Sequence, residues 1–130
     1  MHQRRLTTDQ ALSALESTLS LVDHAERAAL DAPARLRLMQ RARRLSERLE
    51  SLAHVLTDEA NQAQASMRAA GTPLTSFLAV SEQRDAKEAA AQVFQARDMT
   101  THAQVTQAAL DGDVSPAHAV AITKGMAQLP

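Results

Sequence analysis

Ala109-Leu110-Asp111-Gly112-Asp113-Val114-Ser115-Pro116-Ala117-His118-Ala119 is the most clearly punctuated stretch of the chain. An apolar helix ends at Leu110, and Gly112 can take the left-handed conformation that closes a helix. Ser115 then caps the next helix, with Pro116 at its first position, where a missing N–H loses no hydrogen bond. Upstream, Asp85 and Glu88 have capping-box spacing ahead of Ala89, Val93 and Ala96. Thr72-Pro73 gives a cap-then-proline signal before Leu74, Phe77 and Leu78. Short capped helices joined by tight turns predict a small recognition-type helical module over 72–130.

The composition agrees with an all-α reading. Phe77 and Phe94 are the only aromatic residues, so the core is expected to be Leu, Val, Met and Ala. No run of β-branched or aromatic residues is long enough for a strand. The absence of cysteine excludes disulfides and thiolate metal sites. No segment reaches the roughly 18 apolar residues of a membrane helix. Met1-His2-Gln3-Arg4-Arg5 is basic but leads into no apolar stretch, so no secretory leader is expected and a cytoplasmic location is the default. A net charge of −1 gives no global attraction to nucleic acid, so any such attraction must come from local patches. Arginine far outnumbers lysine (Lys87 and Lys124 only), which together with the alanine content points to a GC-rich genome.

In chain order, Thr8 and Asp9 read as a helix start, followed by an apolar stripe of Leu12, Leu15, Leu19 and Val22. The segment 31–33 interrupts that helix and starts another, which meets no strong breaker until Gly71. Over 33–70 it would span roughly 57 Å, too long for a small domain to cover alone. Leu38, Ala42, Leu45, Leu49, Leu52 and Leu56 repeat at four-three spacing, as in a coiled-coil seam. The expected solution is an antiparallel hairpin of the first two helices over 1–71, with surplus length that projects or pairs with a second copy. Thr57-Asp58 is a candidate break.

Arg37, Arg41, Arg44 and Arg48 form a line beside that seam, and Arg35 and Arg43 add to the cluster against Glu47 and Glu50. Like charges four apart on a helix repel by a few tenths of a kcal/mol per pair, so an uncompensated line points to an anionic partner such as a phosphate backbone. The competing reading is a solvated face whose arginine stems cover apolar surface. Beyond Gly71, helices are expected near 73–80, 86–98, 102–110 and 116–128. The first two, joined through Ser81-Glu82-Gln83-Arg84, have helix-turn-helix dimensions, with 86–98 as the recognition helix. Gly125 weakens the last helix.

Residues 71–130 resemble the actinobacterial domain of unknown function found upstream of HNH endonuclease domains, known from mycobacterial repeat-element proteins. The resemblance rests on Phe77-Leu78-Ala79, Asp85 with Glu88-Ala89, Val93, Ala96-Arg97 and Ala109-Leu110 with Gly112. Val114-Ser115 with His118-Ala119, then Leu129-Pro130, complete the set. The leucine-rich N-terminal half matches loosely. The segment with Gly112, Ser115 and His118 also looks like the helical core of ParB-type partition proteins. The resemblance implies a DNA-handling role beside a nuclease in a mobile-element context. It also shows departures. The family's recognition helix commonly carries several arginines, whereas this one reads Ala86-Lys87-Glu88-Ala89-Ala90-Ala91-Gln92, and Gln83 stands where a turn glycine is common.

Nothing in the chain reads as catalytic. An HNH centre needs two histidines and an asparagine around a divalent metal, yet Asn61 is the sole asparagine and lies in a helical pattern. His2, His24, His54, His102 and His118 show no metal-ligand spacing, and Ser115 with His118 reads as a cap and a first-turn residue. No cofactor is expected. Two functions follow. The first is a non-catalytic module binding or positioning duplex DNA, with Arg84, Lys87, Gln92 and Arg97 on the helix-turn-helix and Arg37, Arg41, Arg44 and Arg48 on the backbone. The second is a structural or oligomerisation module that homodimerises through the seam from Leu38 to Leu56 without touching nucleic acid.

Overall fold

Local capping chemistry sets most of the helix boundaries. The computed structural model describes residues 5–83 and 85–129, apart from the side chains of Ala65 and Ser66. Among these residues there are seven α-helices, one 3-10 helix (Glu26–Ala29) and no strand. The chain is all-α. The helices are α1 (Thr8–Ser20), α2 (Ala32–Gln62), α3 (Ala65–Ala70), α4 (Leu74–Ser81), α5 (Ala86–Thr100), α6 (Ala103–Asp111) and α7 (Pro116–Ala127). None of them is long and apolar enough to cross a membrane.

The chain divides into two compact units, Met1–Leu38 and Met39–Pro130. The division falls inside α2. In the first unit, α1 is closed by a capping box. Thr7 Oγ1 accepts from the Gln10 N–H and the Gln10 side chain accepts from the Thr7 N–H, so the cap lies one residue ahead of Thr8. The helix ends at Ser20, well before the 31–33 interruption. Beyond it, Asp23 Oδ1 accepts from the Ala25 N–H at 2.9 Å, a side-chain turn that holds the chain off the helical path. Asp31 Oδ1 accepts from the Ala34 N–H at 2.8 Å and starts α2. No residue of α1 is buried, and Leu15 and Leu19 are exposed.

α2 runs 31 residues, about 46 Å, straight through Thr57-Asp58. Thr57 Oγ1 bonds back to the Ala53 carbonyl, a helix-compatible use of a hydroxyl. The break comes at Gln64, which adopts φ 53°. Glutamine is an unusual occupant of that left-handed region, and no glycine or proline marks it in the sequence. Gly71 closes α3 at φ 70°.

In the second unit, α5 packs on α4, α6 and α7, and α6 packs on α7. Asp85 Oδ1 caps α5 through the Glu88 N–H at 2.7 Å, and Ser115 Oγ caps α7 through the His118 N–H at 3.1 Å, as their spacing predicts. Pro73 itself occupies the capping position of α4, with no side-chain cap beside it. The core is Met99, Ala109 and Ala119, all fully buried, surrounded by Val55, Val105, Val114 and Val120. Ala89 and Ala96 are also fully buried along α5. Alanine at these points lets helix axes approach closely. Both aromatics lie outside this core, Phe77 at 38% and Phe94 at 53% exposure.

Candidate nucleic-acid interface

At about 100° per residue, Arg44, Arg48, Ser51 and Val55 share one face of α2. That face is docked. Ser51 is fully buried, Val55 packs on the core, and Arg48 reaches the end of α6. Arg37 and Arg41 continue the same face towards the helix start. All four arginines of the line remain exposed, and its lower end, Arg44 and Arg48, borders the α6 turn.

The end of α6 explains what Arg48 does there. The Gly112 N–H bonds the Ala109 carbonyl at 3.1 Å and the Asp113 N–H bonds the Ala108 carbonyl at 2.9 Å, with Gly112 at φ 85°. This paired arrangement is a Schellman motif, and it leaves the next carbonyl, Leu110, without a helical donor. Arg48 Nε donates to that carbonyl at 2.9 Å. The guanidinium also sits at the negative end of the α6 dipole. The arginine stems press on the turn, since a Cβ at position 112 would lie 3.0 Å from Arg48 Cδ and 3.6 Å from Arg44 Cγ. Arg35, further up, donates to the Leu30 carbonyl at 3.1 Å and tidies the chain entering α2.

The other sequence-predicted contacts lie on α5 and its turn. Arg84 lies outside the described residues. Gln83, beside it, holds φ 54°, a conformation that glycine adopts at far lower cost. Lys87 is exposed in the first turn of α5, and Phe94 and Arg97 are exposed two to three turns on. The Arg97 guanidinium lies 4.9 Å from the centre of the Phe94 ring, a cation–π pair. Sequence reasoning missed Phe94 as a surface group, although a Phe and an Arg three apart were there to read. Gln92 points the other way. It shares the inward face with Ala89, Ala96 and Met99, and its Oε1 is buried with no hydrogen-bond partner among the described residues. Lys87, Phe94 and Arg97 therefore form one set on α5, and Arg44 and Arg48 another at the α6 turn.

Among the described residues, the side chains that carry chemistry in nucleases are not gathered around one metal centre. His118 contributes its backbone N–H to the Ser115 cap, which accounts for their spacing. Asn61 lines an open depression of about 410 Å³ with Gln64, Met67, Pro73 and Leu74, none of which ionises. Among the described residues, no group of three His, Asp or Glu side chains is arranged to hold a metal.

His54 is buried on α2, with Nε2 3.9 Å from Glu50 Oε1. Burial pulls its pKa below the ordinary 6.5, and the Glu50 carboxylate opposes this in part. The neutral ring is the folded form. An unfolded His54 takes up a proton as pH falls through about 6.5, whereas the folded one resists until lower pH. The unfolded state therefore binds more protons in that window, and stability present above it declines as pH falls. Urea midpoints measured from pH 7.5 down to 5.5 are expected to drop, and His54→Gln should flatten that dependence. An equally steep curve for the variant would place the titration elsewhere.

Comparison with protein-family models, with curated proteins and with solved structures finds no match to the chain.

Proposed function

We propose that the chain is a non-catalytic helical module that binds or positions duplex DNA, of the kind that accompanies HNH nucleases. The observation that carries this reading is the outward face of α5. It begins at a capped N-terminus and presents Lys87, Phe94 and Arg97 to solvent, just after the short connection from α4. Lys87 and Arg97 supply phosphate contacts, and Arg41, exposed on α2, adds a third cation. So few cations make a weak, sequence-independent binder. Three phosphate contacts correspond to a salt slope of about −2.7 in a plot of log affinity against log salt.

The test is fluorescence anisotropy on a mixed-sequence duplex at low and near-physiological salt. Binding is expected to weaken with salt, and Lys87→Glu with Arg97→Glu should reduce low-salt affinity by about tenfold, as two lost phosphate contacts imply. Arg48 is unsuitable for this comparison because its substitution disturbs α6. Absence of binding at low salt, or indifference to the α5 reversals, would rule the reading out.

A second reading, a structural or oligomerisation module with no nucleic-acid contact, is favoured by a separate observation. Leu45 and Leu49, two large apolar side chains of α2, stand 57% and 45% exposed.

A further inference from the structure

The leucine seam of α2 lies about 120° round the helix from the face holding Arg44, Arg48, Ser51 and Val55. That separation exceeds a right angle, so the face docked on the core points away from whatever meets the seam. Leu45 and Leu49 are exposed, Ala42 precedes them in the same row, and Met39 at the edge is 44% exposed. Below them Leu52 and Leu56 continue the row half-buried. In heptad terms Leu45 and Leu52 are d positions, and Ala42, Leu49 and Leu56 are a positions.

The two edges of the seam differ in charge. One edge, the g positions, carries Arg41 and Arg48, followed by Val55, which is packed on the core. The other, the e positions, carries Met39, Ser46 and Ala53, with Glu50 just outside it. Two antiparallel copies bring g edge against g edge. The register that pairs Leu45 with the other Leu49 sets Arg48 against Arg48, and the one that pairs Leu45 with Ala42 sets Arg41 beside Arg48. Both are like-charge contacts, which oppose association. Two parallel copies in register bring g against e instead, so Arg41 meets Ser46 and Arg48 meets Ala53, with Glu50 close by.

We propose that the seam of α2 from Met39 to Leu52 is the interface of a parallel, in-register homodimer. The occupant is a second copy of this chain. The proposal does not depend on the DNA reading, and it predicts a pair of α5 helices displayed on one two-fold axis.

The experiment uses the full chain without DNA. Sedimentation equilibrium should give twice the 14.0 kDa chain mass, and Leu45→Asp with Leu49→Asp should return the single-chain mass with unchanged helical circular dichroism. Orientation is read by single engineered thiols, since the chain contains no cysteine. Ala42→Cys and Leu49→Cys, tested separately under mild oxidation, should each form an interchain disulfide, because a parallel pair sets every a position beside itself. A monomer at all concentrations would overturn the proposal, and so would a dimer that cross-links at only one of the two positions. If DNA binding is absent while both cross-links form, the nucleic-acid reading fails and this one stands.

Discussion

Met99→Ala is expected to destabilise the C-terminal unit by about 3 kcal/mol, because truncating a buried methionine removes its packing and leaves a cavity. Met99 is the largest fully buried hydrophobic side chain described, and the other core members are alanines and valines. Small side chains cannot swing in to fill the space, so the cavity should persist. A domain of this size has a total stability of roughly 5–15 kcal/mol, which makes the loss a large fraction of it. Urea denaturation followed by circular dichroism measures the effect, and Met99→Leu serves as the volume-conserving control, with a cost below about 1.5 kcal/mol. Equal losses for the two variants would mean that the sulfur contacts matter more than the filled volume.

Gly112→Ala is expected to cost about 2–3 kcal/mol, through two effects acting together. At φ 85° a Cβ brings about 1–2 kcal/mol of backbone strain. The same Cβ would also sit 3.0 Å from Arg48 Cδ and 3.1 Å from Cγ. The arginine stem must shift, and its bond to the Leu110 carbonyl is the interaction that suffers. Arg48→Ala alone should cost about 1 kcal/mol, for a partly exposed bond between a charged donor and a carbonyl. The double variant Gly112→Ala with Arg48→Ala should then be less destabilised than the sum of the singles, because the crowding vanishes with the stem. Strict additivity would show that Arg48 yields freely and that backbone strain is the whole effect.

These two sites show how far the sequence could be read. Gly112, Asp85 and Ser115 announced themselves because capping is local chemistry, completed within three or four residues. Leucine and arginine periodicity likewise fixed which residues share a face of α2, since helix geometry alone decides that. Periodicity does not say which face finds a partner. The arginine line is exposed, yet its lower end borders another element, because the Schellman turn of α6 leaves a carbonyl that Arg48 reaches. The inward turn of Gln92 was illegible for the same reason, since its sequence neighbours are alanines that suit either side of α5.

The sequence by itself determined the all-α class, the caps of α5 and α7, the glycine stop at 112 and a core without aromatics. The tertiary structure alone decided the end of α1 at Ser20, the turn at Gln64 and the division at Leu38/Met39. It also left Leu45 and Leu49 uncovered and turned Arg44 and Arg48 towards the α6 turn. The first group follows from interactions between residues a few positions apart. In the second group, the turning of Arg48 towards α6 depends on contact between segments distant in the chain, since no local pattern encodes its pairing with Leu110.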